Sequence, residues 1–373
     1  MFTYLDTTGT TQTLRQLLDV AQAQPGVKGL LVLAADANDF TPESLNPLLN
    51  SVRLPVFGGV FPAIIHQGHH YTRGSVVVGL PVEPQLTTIQ NLSRATPTTL
   101  EDALAAIGDS ASAHGTAFCW ADGFSQQLTP LLHAFHNLVG LKYNVIGGGA
   151  GSLDLLLKPC VISNAGLLAD AAVMAIVDLP SGVAARHGWV KLSGPYHVTQ
   201  SSGNVIHTLN WRPALQVYKA AVSTVYAKEW NDERFYEVSQ NFPFGIQRYG
   251  VERVVRDPVR VEGESLVCIG DVPQGALVDI LTATNASLLV AADEALLEAE
   301  SQLRRFGRAH TVFVIDCVSR MIFLQERFQR ELVNLYLPGT ATVGALSLGE
   351  FACNGRDYPA FLNKTTVVGM FPI

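Results

Sequence analysis

Charge is scarce in this sequence of 373 residues. Only 15% of the residues are Asp, Glu, Lys or Arg, and the net charge is −7 with no long basic run. Binding to phosphates of a nucleic acid needs a clustered positive field, so the composition argues against nucleic acid as a partner. Hydrophobic residues make up 48% of the chain, which is enough apolar surface to build a core and excludes intrinsic disorder.

Targeting and metal motifs are missing as well. No run reaches the roughly 18 apolar residues of a membrane span, and residues 1–6 lack the basic start and apolar stretch of a signal peptide. We therefore expect a cytoplasmic protein without a membrane span. The five cysteines form no C-x-x-C pair, so neither a disulfide framework nor a metal site is predicted.

Three stretches of the chain share a strand–Asp–helix–strand–Gly plan. Apolar strands at 29–33, 116–120 and 312–316 are each followed by a helical segment and a second strand that ends in Gly58, Gly147 or Gly344. Duplication of one unit and chance recurrence of a common motif both explain the pattern. Together with β-rich segments between the stretches, it predicts a mixed α/β fold.

The last part of the chain is the most distinctive. It reads FVIDCVSR at 313–320, continues into a helix with two glutamates, and then reads VGALSLGE at 343–350 and FLNKT at 361–365. These motifs resemble the C-terminal FIST domain. Residues 144–152, 183–188 and 198–206 resemble the end of the N-terminal FIST domain, so the resemblance covers most of the chain.

The resemblance implies two FIST halves, residues 1–200 and 201–373, each a mixed or antiparallel sheet layered with helices. It also implies a small-ligand-binding sensory protein of intracellular signal transduction, with an amino-acid-like ligand proposed for the family. The sequence contains no kinase, diguanylate cyclase or methyl-accepting region. Signalling would therefore pass through a separate histidine kinase or cyclic-dinucleotide enzyme.

The strand end that carries Asp316, Cys317 and Arg320 is the first predicted ligand-binding site. Arg320 could donate two parallel hydrogen bonds to a ligand carboxylate, and Asp316 could pair with a ligand amine. In the structural alternative, Asp316 caps the helix, Cys317 packs in the core and Arg320 pairs with a neighbouring acid. No histidine follows closely in the sequence, so we expect no catalysis and assign no catalytic residue.

Ser347, Glu350 and Asn363 form the second predicted site, next to glycines that let a ligand approach the backbone. Ser347 would offer a hydroxyl, Glu350 could hold an amine, and Asn363 could add an amide. The alternative for Glu350 is an exposed charge at a strand end. We expect Arg320 and Glu350 to share one polar cleft where the halves meet, since such clefts favour small ligands.

Two further functions stay open, a haem-binding nitric oxide sensor and an enzyme that uses Cys317 or Ser347. One branch of the FIST family binds haem, and His187 is the first axial candidate here, ahead of His133 and His136. Gly148 and Gly149 belong to a glycine run without the spacing of a phosphate-binding loop. That run is interpreted as a backbone turn or as a wall of the ligand pocket.

Overall fold

The computed structural model describes residues 1–108, 115–154, 156–228 and 232–372. Three sheets of six strands each share one strand order, and a fourth sheet is separate from them. Each six-stranded sheet is centred on one of three consecutive parts of the chain, which we call units 1, 2 and 3. Helices flank these sheets, so the predicted mixed α/β class is confirmed.

Units 1 and 2 follow each other without interruption. The elements of unit 1 are β1 (Phe2–Asp6), α1 (Thr11–Ala23), β2 (Gly29–Ala35), α2 (Pro42–Leu49), β3 (Val56–Phe61), β4 (Ala63–His66), β5 (His69–Tyr71) and β6 (Ser75–Leu80). The elements of unit 2 are β7 (Gln85–Gln90), α3 (Pro97–Gly108), β8 (Gly115–Asp122), α4 (Leu128–Val139), β9 (Tyr143–Ala150), β10 (Val161–Ser163), β11 (Gly166–Leu168) and β12 (Ala171–Val177).

Unit 3 is divided by a long insertion, which forms the fourth sheet. The unit starts with β13 (Gly182–Arg186). The insertion contains β14 (Val190–Ser202), β15 (Val205–Leu209), β16 (Arg212–Pro213), α5 (Ala214–Val222), α6 (Phe235–Ser239), β17 (Phe244–Ile246), β18 (Val254–Arg256), β19 (Pro258–Glu262), β20 (Ser265–Cys268) and β21 (Leu277–Thr282). Unit 3 then continues with α7 (Asn285–Leu303), β22 (Thr311–Cys317), α8 (Val318–Leu324), α9 (Phe328–Leu335), β23 (Ala341–Ser347), β24 (Glu350–Cys353), β25 (Ala360–Leu362) and β26 (Thr366–Phe371).

Each unit repeats one topology. Two central strands run parallel and are joined through a helical crossover, as β2 and β3, β8 and β9, and β22 and β23 show. The last strand of each unit pairs antiparallel with the first central strand. It lies between that central strand and the first strand of the unit, which forms the edge of the sheet. The three stretches identified in the sequence are therefore the centres of three equivalent sheets.

Hairpins are exchanged between the units. The hairpin β4–β5 of unit 1 completes the sheet of unit 3, because β4 pairs with β23. The hairpin β10–β11 of unit 2 completes the sheet of unit 1, and β24–β25 of unit 3 completes the sheet of unit 2. No unit contains all the strands of its own sheet, so the three sheets depend on one another.

A glycine is required at the same place in each parallel pair. A Cβ atom at this glycine would lie 1.8 Å from the carbonyl oxygen of the residue opposite it. The three pairs are Gly58 with Val32, Gly147 with Cys119, and Gly344 with Val314. Only glycine permits this approach of the two backbones, which explains why the three predicted strand–helix–strand stretches all close in glycine.

The first helix of each unit also starts in the same way. Two hydroxyl-bearing residues three positions apart exchange hydrogen bonds with each other's backbone N–H groups. The pairs are Thr10 with Thr13, Thr96 with Thr99, and Thr284 with Ser287. These reciprocal caps satisfy N–H groups that have no partner inside the helix, so they fix the first turn in all three units.

The three sheets share one apolar core. Phe118 of β8 contacts Phe57 of β3 and Phe313 of β22, with ring centroids 5.8 and 5.3 Å apart. It also stacks on Phe371 of β26 at 5.6 Å. The inner faces of the sheets therefore meet at these rings, while the helices of units 2 and 3 build separate apolar clusters against their sheets.

The insertion has an apolar core of its own, formed by its sheet together with α5 and α6. The predicted boundary at residue 200 falls inside β14, and the division into halves stays a prediction. Within the described ranges, none of the helices combines the length and hydropathy needed to span a bilayer.

Candidate functional site

A cleft of about 660 Å³ lies where unit 2, unit 3 and the insertion meet. Unit 2 contributes residues 123–127 and the first turn of α4, and unit 3 contributes the start of α8 with residues 348–349. The insertion contributes the turns at 203–204 and 268–271. The volume is typical of small-molecule sites, and three separate parts of the chain enclose it. We name it the central cleft.

The walls of the central cleft are mostly apolar. The apolar lining includes Phe124 and Leu128 of unit 2 and Leu348 and Phe361 of unit 3. Ile269, at the end of β20, also lines the cleft although it is 37% exposed. Such walls can bury the hydrocarbon part of a ligand, since removing apolar surface from water contributes about 25 cal/mol per Å².

Of the eight residues predicted for ligand binding, Cys317 and Asn363 line the central cleft. Both are nearly buried, so only a small part of each side chain meets the cavity. The Sγ atom of Cys317 lies 3.0 Å from Oγ of Ser319. Burial raises the pKa of the Cys317 thiol to about 12, so it is a thiol at neutral pH and is not activated as a nucleophile.

Arg320 lies outside the lining of the cleft and is fully buried. Its Nε atom is 3.1 Å from both Oε1 of Glu331 and Oδ1 of Asp316, and its Nη2 is 2.5 Å from Oε2 of Glu331. The remaining partners are the carbonyl oxygens of His187, Leu288 and Lys364, at 2.8, 3.0 and 3.5 Å. These contacts favour the structural alternative, because the guanidinium is already surrounded by acceptors.

Asp316 belongs to the same buried cluster. Its Oδ1 accepts a hydrogen bond of 2.9 Å from Oγ1 of Thr366, in addition to the contact with Arg320. Burial and the neighbouring Glu331 raise its pKa well above the ordinary range. The residue before α8 is Cys317, which makes no side-chain cap, so the expectation that Asp316 caps this helix is wrong.

Glu350 is fully buried, so the interpretation of an exposed strand-end charge is wrong. Ser347 Oγ donates to its Oε1 at 2.7 Å, and the Thr365 N–H donates to its Oε2 at 3.3 Å. Burial raises the pKa of Glu350 to about 8. Ser347 Oγ also lies 3.4 Å from the Asp316 carbonyl oxygen, which connects Glu350 to the Arg320 cluster below the cleft.

Gly148 and Gly149 lie inside β9, so the interpretation of their run as a backbone turn is wrong. A Cβ atom on Gly148 would lie 2.8 Å from Cβ of Ser347, and one on Gly149 would lie 2.5 Å from the Leu348 carbonyl oxygen. Neither glycine lines the central cleft. Their effect is to let residues 347–349 approach β9 closely, which places Leu348 in the wall of the cleft.

Asp257 lines the central cleft and was not predicted. It is buried, and its Oδ2 lies 3.0 Å from Nζ of Lys364. Burial raises its pKa, and the ammonium group of Lys364 opposes that shift. Lys364 also donates to the carbonyl of Gln240 at 3.0 Å and lies over the ring of Trp189. A charged Arg-Asp pair directly after the apolar residues 254–255 was the available signal in the sequence.

His187 does not fit the role of an axial haem ligand. It is buried, and its Nδ1 accepts the Trp189 N–H at 2.8 Å, so the neutral ring carries its proton on Nε2. That Nε2 lies 3.4 Å from Oε1 of Glu252 and has no free electron pair for iron. Burial lowers the pKa of His187 to about 3, so the ring is neutral. No cluster of three metal-ligating side chains occurs within the described ranges.

A second groove of about 820 Å³ runs between β13, residues 248–254 and residues 352–358. It is larger than the central cleft, but several of its charged groups pair with one another. Arg186 pairs with Glu298, and Arg248 pairs with Asp357. We regard this groove as an ion-pair network that fastens the insertion to unit 3, and the central cleft as the better candidate site.

The central cleft lies between mixed sheets, with the insertion as one wall, and this arrangement makes it a candidate ligand site. Comparison with known families identifies the chain further: the FIST N domain matches residues 28–212, and the FIST C domain matches residues 214–353. The chain belongs to the FIST family, whose domains are associated with sensory signal transduction. No curated protein matches the sequence.

Proposed function

We propose that this chain is a sensory protein that binds a small ligand in the central cleft and transmits its presence to a separate partner protein. The observation that carries the proposal is the cleft itself. It has the volume of a small-molecule site, apolar walls, and the buried polar groups of Cys317, Asn363 and Asp257 along it. Family membership supports the sensory part.

The walls of the cleft suggest how binding would be transmitted. The insertion supplies one side through Asp257 and residues 268–271, while units 2 and 3 supply the other. A ligand that contacts both sides stabilises only the arrangement in which the two sides are close together. Its binding therefore shifts the protein toward that arrangement. The surface of the insertion would then be the part that a partner reads.

The test begins with the ligand that accompanies the purified protein, identified by native mass spectrometry. Thr129→Trp places an indole in the cleft from the second residue of α4, and we expect it to abolish ligand retention. Thr98→Trp at the second residue of α3 is the matched control, because Thr98 is exposed. Equal ligand retention by Thr129→Trp and wild type would reject the cleft as the site.

Once the ligand is identified, binding of a candidate partner can be compared with and without it. A histidine kinase or a cyclic-dinucleotide enzyme would bind the ligand-loaded protein and the ligand-free protein with different affinities. Hydrogen exchange at residues 203–204 and 268–271 should slow when the ligand is added. A partner whose affinity does not depend on the ligand would not support a sensory role. The cytoplasmic location stays a prediction from the sequence.

The enzyme alternative would use Cys317 or Ser347. Ser347 donates to Glu350 as a nucleophile would to a base, at 2.7 Å, but it is fully buried and does not line the cleft. We expect the identified ligand to be recovered unchanged after incubation. A product formed by wild type and not by Cys317→Ser or Ser347→Ala would establish an enzyme.

The nitric oxide alternative requires haem. His187 would have to lose its Nε2 proton or give up its hydrogen bond to Trp189 before it could coordinate iron. A Soret band in the protein supplemented with haem, absent from His187→Ala, would establish this function despite that geometry.

A further inference from the structure

Two hydrogen-bond acceptors at the central cleft have no partner among the described residues. They are Oδ1 of Asp257 and Oδ1 of Asn363. Asp257 and Asn363 are 2% and 3% exposed, and both residues line the cleft. An acceptor buried without a hydrogen bond is unfavourable, so this part of the cleft is suited to a group that donates.

Lys364 connects the two residues. Lys364 follows Asn363 directly, and its Nζ lies 3.0 Å from Oδ2 of Asp257. This ammonium group is also committed to the carbonyl of Gln240, at 3.0 Å. Lys364 therefore fixes one oxygen of the Asp257 carboxylate and leaves the other without a donor.

The charges along the cleft have one sign. The charged side chains that line it are Asp257 and Asp271, and neither lysine nor arginine belongs to the described lining. The pair of Asp257 with Lys364 is neutral as a whole, and the buried guanidinium of Arg256 lies beside Asp271, with its Nε 2.9 Å from the Asp271 carbonyl oxygen. The charge available to a ligand is therefore that of the unpartnered Oδ1 of Asp257. A ligand group that both donates hydrogen bonds and carries positive charge matches this lining better than a neutral donor does.

The apolar walls define the rest of the ligand. Phe124, Leu128 and Phe361 provide apolar surface for a hydrocarbon or aromatic body. The first turn of α4 offers backbone N–H groups, which favour an anion, at another side of the cleft. An anionic ligand is therefore the direct competitor in the test.

We propose that the central cleft recognises a small organic cation, a protonated amine or amidine joined to an apolar body. Its N–H groups donate to Oδ1 of Asp257 and to Oδ1 of Asn363, and its body packs against the apolar walls. The proposal rests on the function proposed above and names the chemical class of the ligand.

Three probes that share a phenylethyl body test the charge. They are 2-phenylethylamine as the cation, 2-phenylethanol as the neutral form and 3-phenylpropanoate as the anion, each added at millimolar concentration to the full chain. We expect the amine to raise the thermal midpoint most and to bind at least tenfold more tightly than the alcohol, with the propanoate weakest. Equal shifts from all three, a larger shift from the propanoate, or no shift from the amine would overturn the proposal.

Asp257→Asn and Asn363→Ala test the contacts. Each should lower the affinity for the amine at least tenfold and leave the affinity for the alcohol within about twofold. Asp279→Asn is the matched control, because Asp279 is also a buried carboxylate of the insertion that pairs with a lysine, Lys191, but lies outside the cleft. Unchanged amine affinity in both cleft variants, or an equal loss in Asp279→Asn, would overturn the assignment of these contacts.

Failure of this proposal can be separated from failure of the proposed function. If the propanoate binds best and Thr129→Trp abolishes its binding, the cleft is a ligand site and the cation class is wrong. If Thr129→Trp has no effect on the best probe or on the ligand that accompanies the purified protein, the central cleft itself is rejected.

Discussion

Units 1 and 3 have the same backbone plan, but positions that are apolar in unit 1 carry polar side chains in unit 3. The matching registers place Cys317 of unit 3 where unit 1 has Ala35. By the same registers, Ser347 corresponds to Phe61, and Glu350 corresponds to Ile64. The apolar version in unit 1 shows that the fold does not need polar groups at these positions. Since buried polar groups stabilise a fold poorly, the polar cluster of unit 3 is an addition to the shared backbone plan and not a requirement of it.

The largest effect should come from removing the cation of the unit 3 cluster. Arg320→Met leaves Glu331 and Asp316 buried without their partner, and we expect it to lower the free energy of unfolding by about 3–5 kcal/mol. The matched control is Arg330→Met, because Arg330 is exposed on α9. Urea unfolding that shows the same small change for both variants would contradict the role of Arg320.

The next effect tests what the units share. Gly147→Ala and Gly344→Ala should each cost about 3 kcal/mol, since the added methyl group meets a strand carbonyl at 1.8 Å and the strands must separate. Gly58→Ala should cost at least as much, because its φ of +151° adds strain. Gly250→Ala is the control: it has a φ of +73° in open space and should cost about 1 kcal/mol. Tolerance at one of the three strand positions would mean that the units are not equivalent.

Glu350→Gln tests what distinguishes unit 3. The pKa of Glu350 is raised from 4.5 to about 8, so between these values the folded state holds a proton that the unfolded state has released. This stability is complete below pH 4.5 and is lost as the pH rises toward 8, by at most about 1.4 kcal/mol per pH unit. Gln resembles the protonated form, so the variant should be less sensitive to pH in this window.

Urea unfolding of wild type and Glu350→Gln at pH 5.5, 6.5 and 7.5 measures the difference. Glu326→Gln is the control, because Glu326 is exposed. Parallel pH profiles for wild type and Glu350→Gln would show that Glu350 is already ionised at pH 5.5.

The smallest expected effect concerns the helix caps that all three units share. Thr10→Ala, Thr96→Ala and Thr284→Ala each remove a reciprocal cap at the first helix of a unit, and each should cost about 1 kcal/mol. Thermal unfolding in the same buffer compares the three. A cost confined to Thr284→Ala would show that the caps differ in importance although their geometry is the same.

The sequence predicted the centres of the three sheets because buried central strands are continuous apolar runs, such as residues 29–35 and 312–315. It could not predict the hairpin exchange. The pairing of Ile64 with Ala345 depends on where the chain returns in space, and neither residue carries a local signal for it. The same limit explains why the inserted wall of the cleft was missed.

Site prediction was limited by what a motif can express. The DCxxR and GxxSxGE motifs located the polar cluster, and Cys317 and Asn363 do line the cleft. The motifs could not show that Arg320 is surrounded by Glu331 and by the carbonyls of His187 and Leu288, which come from distant elements. Asp257 lacked a recognisable motif, and its place in the cleft depends on the packing of the insertion against units 2 and 3.

The hairpin exchange has a consequence for synthesis on the ribosome. The hairpin β4–β5 is made early, but its partner β23 is among the last strands to be translated, so β4 waits for nearly the whole chain. By contrast, β10 finds its partner β3 already made. Until the final residues emerge, an apolar strand edge stays open to pairing with another nascent chain. We expect chains stalled before residue 341 to depend on chaperones. We also expect the three units to complete their sheets in one late, cooperative step.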